Sequence, residues 1–158
     1  MLKLSDISKI NIGYNQFTDG LEPVTLWDEF NNTVGNIGNK IVYQSCPQLL
    51  DGNYYTSNSC QCWSFKRLDE LTSMFAISLL KLGFEKHQSV NIIGFNSFEW
   101  IVADLGCIKA GGVSAGVYTT NSKEMCQYQA DHSDAHTIVI EGEDNLIKYK
   151  NILDEKIN

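Results

Sequence analysis

The chain has 158 residues, the size of one ordinary domain, and its 43% hydrophobic and 20% charged residues exclude a disordered tail or a fibrous sequence. Twelve Lys and Arg against nineteen Asp and Glu give a net charge of −7, which argues against non-specific binding to nucleic acid or an anionic membrane. Arg67 is the single arginine, so a multi-arginine phosphate clamp is excluded as well.

Residues 1–23 read as an N-terminal extension, and its opening, Met1-Leu2-Lys3-Leu4-Ser5-Asp6, is too charged for a signal peptide. No apolar run reaches the roughly eighteen residues that span a bilayer, so a cytoplasmic setting is expected, with at most peripheral membrane contact. Leu26, Trp27, Phe30, Val34 and Ile37 recur at helical spacing until Gly38-Asn39. Residues 40–44 read as a short strand, and 45–61 as loop with a turn at Asp51-Gly52-Asn53. Ser64 is placed to cap a helix through Leu82, with Leu68, Leu71, Phe75, Leu79 and Leu82 on one face and Gly83 beyond its end.

Residues 89–95 read as a strand. Asn96-Ser97-Phe98-Glu99 has the form of a capping box and opens a helix through Lys109, stopped by Gly111-Gly112. A strand over 113–118, a helix from Asn121-Ser122-Lys123-Glu124 to about Asp131, a strand over 136–141 and a charged helix from about Glu143 complete the pattern. Strands about 22 residues apart with one helix between each pair require parallel pairing through crossovers, since a hairpin needs only a short turn. The fold class is therefore α/β, a partial doubly wound parallel sheet (βαβαβα). Trp63, Leu71, Phe75, Ile92, Trp100, Ile108, Val117 and Ile138 are expected to form its core.

Ligands of open α/β sheets bind beyond the C-terminal strand ends, which here carry Phe95-Asn96-Ser97 and Tyr118-Thr119-Thr120-Asn121-Ser122. Two readings stay open. Asn96, Asn121 and the nearby hydroxyls simply cap helices, or Tyr118, Thr119 and Thr120 also edge a substrate pocket. Gly111-Gly112 precedes a strand rather than following one, so it reads as a helix stop with close packing, not a phosphate loop. Asp131-His132-Ser133-Asp134-Ala135-His136 holds the residue types of a catalytic triad, but neighbours in one turn do not converge as a triad must. Phe98-Glu99-Trp100 reads as packing plus capping. The five cysteines, 46, 60, 62, 107 and 126, are odd in number and irregular in spacing, so all are expected as free thiols with no zinc site.

The segments Trp63-Ser64-Phe65, Leu79-Leu80-Lys81-Leu82-Gly83, Val90 to Trp100 and Ala110 to Ser122, followed by Cys126-Gln127-Tyr128, resemble the amino-terminal part of acyl-CoA synthetases, within the adenylate-forming superfamily. Among these they look like the bubblegum-type long-chain fatty acid–CoA ligases, over residues 24–155. The resemblance implies activation of a long-chain fatty acid by ATP and Mg²⁺ to an acyl-adenylate, then transfer to CoA. It also implies that residues 24–158 are a partial AMP-binding domain, truncated before the family's phosphate loop. That loop ends in Pro-Lys, whereas both prolines here, Pro23 and Pro47, precede position 50. No catalytic, cofactor-binding or metal-ligating residue is therefore expected in this chain, and an enzyme fragment inactive alone is the leading expectation. A truncated pseudoenzyme acting as a binding module is the alternative, and a small flavodoxin-like ligand-binding domain ranks last because no phosphate loop is present. The missing downstream strands imply self-association through an uncovered sheet edge or face. One departure from the family is Glu85-Lys86-His87-Gln88, where many relatives carry Gly-Asp.

Overall fold

The computed structural model describes residues 24–46 and 60–157. The expected turn at Asp51-Gly52-Asn53 and the extension before residue 24 lie outside them. Helix α1 (Leu26–Ile37) starts at a complete capping box: the Asp28 N–H donates to Thr25 Oγ1 at 3.1 Å, and the Thr25 N–H donates to the Asp28 carboxylate at 3.0 Å. The Thr25 hydrogen bonds hold the Asp28 carboxyl below its ordinary value. Strands β1 (Ile41–Ser45) and β2 (Gln61–Ser64) pair antiparallel. Strand β2 was not anticipated. Its four residues are too few to show alternation, and only the pairing with β1 makes them a strand.

The same pairing corrects the expectation for the cysteines. Ser45 lies opposite Gln61, so the next residues outward, Cys46 and Cys60, face each other and form a disulfide with Cα atoms 4.2 Å apart. Cys62 is a free, exposed thiol, while Cys107 and Cys126 are free and buried. Register, which linear spacing does not carry, is what brings the pair together.

Helix α2 (Phe65–Lys81) is capped by Ser64, whose hydroxyl accepts from the Arg67 N–H at 3.2 Å. Its buried residues are Leu68, Thr72, Ala76 and Leu79: Leu68 and Leu79 of the anticipated stripe are buried, Leu71 and Phe75 are half-buried, and Leu82 is 82% exposed, so the buried face is rotated towards Thr72 and Ala76. The rotation has a steric cause. Strand β3 (Ser89–Ile93) leads into α3 (Phe98–Lys109), and α3 crosses α2 at Gly106. A Cβ at Gly106 would stand 2.7 Å from the Phe75 ring and 3.1 Å from the Thr72 carbonyl oxygen. Backbones this close favour the small Thr72 and Ala76 at the contact over leucines. Lys109 secures α1 to this pair: its ammonium lies 3.2 Å from Asp69, 2.6 Å from Ser73 Oγ and 4.4 Å over the Trp27 ring.

Strand β4 (Val113–Val117), helix α4 (Lys123–His132), strand β5 (Ala135–Ile140) and helix α5 (Glu143–Ile157) follow. The three-stranded sheet runs β4-β3-β5, all parallel, with Ile92 opposite Gly116 on one side and Val139 on the other. The chain steps from β3 to β4, then crosses back over β3 to β5. Right-handed crossovers in opposite directions put their helices on opposite faces. Accordingly, Val90 and Ile92 pack with Leu79, Phe84, Ala103 and Cys107 on the face of α2 and α3. Ile93 and Val117 pack with Cys126, Ala130 and Tyr149 on the face of α4 and α5. The expected α/β doubly wound arrangement is present. Of the eight expected core residues, only Ile92 and Val117 are fully buried, and the other six are partly buried, because one helix pair per face leaves their outer edges open.

Two consequences are measurable. His87 has φ 72°, and its N–H donates to the Gly111 carbonyl at 2.8 Å to start β3. A left-handed histidine costs roughly 1–2 kcal/mol, partly offset by the greater unfolded-state freedom of glycine. His87→Gly is therefore expected to stabilise the chain by about 0.5–1 kcal/mol in urea melts, and lower stability would refute the strain argument. Burial, reinforced by Asp104, pushes the Cys107 thiol up to about 11. Burial, reinforced by Cys126, likewise raises the Tyr149 phenol. Both groups fold neutral with raised values: the Cys107 stabilisation is complete below about pH 9 and is lost as pH rises towards 11, and that of Tyr149 is lost only at more alkaline pH, above the ordinary phenol value. Cys107 alone should contribute a loss on the order of 2–3 kcal/mol across that window. Urea midpoints at several alkaline pH values check this, and Cys107→Ala should flatten the slope.

Candidate functional site

Strand β3 ends at Ile93, two residues earlier than the apolar run suggests, so Gly94 to Ser97 form a loop at the C-terminal edge of the sheet. The outgoing helix of β3 lies on one face, and those of β4 and β5 lie on the other. The loop is thus flanked by two switch points, where doubly wound sheets bind ligands.

A cavity lies on each side of it. One, of about 420 Å³, opens between β3 and β4: Gly94, Phe95 and Asn96 form one wall, and Gly116, Val117, Tyr118 and Thr119 the other. The second, also about 420 Å³, lies between β3 and β5 and is walled by Ile92, Ile93, Val139, Ile140 and Glu141, with Ser97 and Glu99. Trp100 and Gly94 border both. Gly116 admits the Trp100 indole, since a Cβ there would lie 3.3 Å from the ring.

The loop is fastened from three directions. The Glu141 carboxylate accepts from the Phe95 N–H, and the Glu141 N–H donates to the Ile93 carbonyl at 2.9 Å. The Glu141 side chain approaches so closely that a Cβ on Gly94 would stand 3.0 Å from its Cβ. From the hairpin, the Tyr43 hydroxyl reaches the Asn96 carbonyl at 3.5 Å. Beneath it, Phe98 is 3% exposed and stacks on Trp63, centroid to centroid at 4.6 Å. Across the cavity, Lys148 of α5 donates to the Thr119 carbonyl at 2.6 Å and to Asn145 Oδ1 at 3.2 Å, fixing the end of β4.

Tyr118 and Thr119 line the first cavity, whereas Thr120 lies outside it; Tyr118 is 76% exposed and, with Phe95 at 72%, forms an apolar rim. The capping reading holds for the hydroxyls and not for the asparagines. Ser97 and Ser122 are the caps, accepting from Trp100 N–H at 3.1 Å and Met125 N–H at 3.3 Å. Asn121 is buried and donates to Gln129 Oε1 at 2.8 Å. Phe98 is core as expected, but Glu99 faces the second cavity. Sequence reasoning missed Gly94, Trp100, Glu141 and Lys148. Only the position of Glu141, at the end of a strand and before Gly142 (φ 74°), offered a signal.

The triad-like residues do not converge. The Asp131 carboxylate accepts from Gln127, His132 stacks on Tyr128, and His136 Nδ1 lies 2.7 Å from the Asp134 carbonyl. Ser133 Oγ lies 2.8 Å from Asn91 Oδ1 and 2.7 Å from the Gln129 carbonyl, closing the polar turn under α4. Among the described residues, no group of three or more His, Cys, Asp or Glu side chains is arranged to hold a metal ion. No described helix is long and apolar enough to cross a membrane.

A family profile described as AMP-binding enzyme matches residues 45–157. The long-chain-fatty-acid–CoA ligase ACSBG2 of Xenopus laevis is 37% identical over 135 residues, covering 85% of this chain and 17% of that protein. The human protein of the same name is 34% identical over 130 residues, covering 82% of this chain and 18% of its own length. The chain thus spans less than a fifth of these curated relatives. Among solved structures, the anthranilate CoA ligase AuaEII in complex with anthranoyl-AMP aligns with a TM-score of 0.68 at 16% identity, over 89% of this chain and 24% of its own. A benzoate CoA ligase from Burkholderia xenovorans LB400 aligns at 0.66 and 17% identity, over 84% of this chain and 24% of its own. At such identities these two report a shared fold.

Proposed function

Because the chain belongs to the AMP-binding enzyme family, we propose that it contributes the amino-terminal part of a long-chain fatty acid–CoA ligase and does not catalyse that reaction by itself. The observation that carries this reading is the 135-residue match, at 37% identity, to a long-chain-fatty-acid–CoA ligase. The proposed reaction takes a fatty acid, ATP and CoA, with Mg²⁺ supplying charge neutralisation at the phosphates. This chain's own contribution is structural: β3, β4 and their loops hold the Phe95, Tyr118 and Thr119 rim against Trp100. The triphosphate needs cationic and backbone donors, and neither a Pro-Lys loop nor a second arginine occurs in these 158 residues.

The purified chain with ATP, Mg²⁺, palmitate and CoA is expected to release no pyrophosphate and form no acyl-CoA above a no-protein control. Turnover would overturn the claim of inactivity. Sequencing the transcript beyond the codon for Asn158 tests the ligase reading itself: a Ser/Thr/Gly-rich loop ending in Pro-Lys supports it, and an immediate stop codon favours a binding module. Self-association belongs to the same reading. Strands β4 and β5 are both open edges among the described residues, and Met74, Ile77 and Leu80 are more than half exposed on α2. Light scattering after size exclusion should therefore give a mass above that of the monomer. A cytoplasmic setting with peripheral membrane contact completes the proposal, and cell fractionation checks it.

A further inference from the structure

The hairpin of β1 and β2 has two unlike faces. Tyr43 and Trp63 are cross-strand partners and stack inward on Phe98. Strand alternation then puts Gln44, Cys46, Cys60 and Cys62 on the opposite, outer face. The approach of Gln44 Nε2 to Cys46 Sγ, 3.4 Å, lies on that face. Gln44, Ser45, Gln61 and Cys62 are all exposed, and Cys46 and Cys60 are only partly buried, so among the described residues no apolar layer screens the disulfide from a thiol in solution.

We propose that Cys46 and Cys60 are a reversible thiol–disulfide exchange site for a small thiol such as glutathione, and that the bridge latches the hairpin onto the rim of the two cavities. In the opening step a glutathione thiolate attacks one bridge sulfur. The Cys46–Cys60 bond breaks, a mixed disulfide forms, and the bonding pair leaves on the other cysteine, which takes up a proton. A second glutathione thiolate attacks the mixed disulfide, releasing oxidised glutathione and the second cysteine thiol. Two electrons pass from two glutathiones to the bridge, and the reverse reaction restores it.

The coupling to the site is geometric. The bridge closes the outer end of a short two-stranded pairing, and such a ribbon is marginal without reinforcement. Its inner face holds the Phe95–Ser97 loop through the Tyr43 contact to the Asn96 carbonyl and the stack on Phe98. Opening the bridge releases the outer end and loosens that hold. Cys62 is two residues from Cys60 on the same strand, about 6.7 Å along it, and its thiol, alkylated or carrying one glutathione of distinct mass, is read separately from the bridge.

The experiment equilibrates the 158-residue chain in buffers spanning reduced to oxidised glutathione, alkylates it without denaturant and counts labels by mass. The expected count rises from one, at Cys62, to three, at Cys46, Cys60 and Cys62, because Cys107 and Cys126 are buried. Amide exchange of Phe95 to Phe98 should be several-fold faster in the reduced chain and in the Cys46→Ser/Cys60→Ser double variant. Three labels at every ratio would show that no bridge forms. One label at every ratio, with opening only by a phosphine, would make it a permanent brace. Unchanged exchange at Phe95 to Phe98 would remove the latch. Each of these three results overturns the proposal, and none depends on ligase activity.

Discussion

Gly112→Ala is expected to lower stability by about 3 kcal/mol, at the upper end of what overpacking a core costs. A Cβ built on Gly112 would stand 2.6 Å from two carbons of the Phe84 ring and 2.8 Å from Cys107 Sγ. Phe84 is 6% exposed and Cys107 is fully buried, so neither can yield without disturbing Val90 and Ile92 on the central strand. The neighbouring Gly111 is glycine for another reason. Its φ is 83°, and its cost on substitution would come from the backbone, with only Lys86 Cγ near, at 3.2 Å. The two variants are separable. Gly112→Ala combined with Phe84→Leu should recover part of the loss, because the leucine ends short of the clash. Gly111→Ala with the same partner should not recover. Chemical denaturation of these four variants, Phe84→Leu alone and the wild type measures this, and additive losses for the Gly112 pair would show that the ring is not the obstacle.

Phe98→Ala is expected to cost about 3–5 kcal/mol, the range for emptying a buried aromatic site. Phe98 meets Trp63 at 4.6 Å and Tyr43 at 5.7 Å, and it is the point where hairpin, α3 and the cavity loop come together. Its loss removes both burial and the stack on which β1 and β2 rest. Phe98→Leu should keep more than half of the stability by retaining volume. Near-ultraviolet circular dichroism of Trp63 and Tyr43 should nevertheless change in both variants, since neither keeps the aromatic face. A loss below about 1 kcal/mol for Phe98→Ala would mean that the hairpin does not depend on this stack.

Residues 63–150 show where sequence reasoning works. Ser64, Gly83 and Gly111 mark helix boundaries through rules that act within one turn of chain, namely a side-chain oxygen meeting a free amide and a backbone that only glycine enters cheaply. The spacing of the three parallel strands required crossovers, and with them the two-faced sheet. Of the three residues placed by one reading at the pocket edge, Tyr118 and Thr119 wall a cavity and Thr120 lies outside it. Asn96 and Asn121 were misplaced as caps by a single residue each, because Asn and Ser both favour the position and the sequence offered them side by side.

Other features depend on distances that no linear pattern records. Gly106 on another helix lets α2 approach closely and brings Thr72 and Ala76 into its buried face beside the anticipated Leu68 and Leu79. Strand β2 exists because β1 lies beside it, and that register turned two unremarkable cysteines into a bridge. Glu141 became a loop fastener only when β5 came to rest against β3, 48 residues earlier in the chain at Ile93. By itself, then, the amino-acid order determined the family, the α/β class and the helix ends, since each rests on residues a few positions apart or on one contiguous motif. The tertiary structure decided which helix face is buried, which cysteines join and which side chains wall the cavities. Those depend on pairwise contacts between distant segments, and such contacts are settled by packing the whole chain at once.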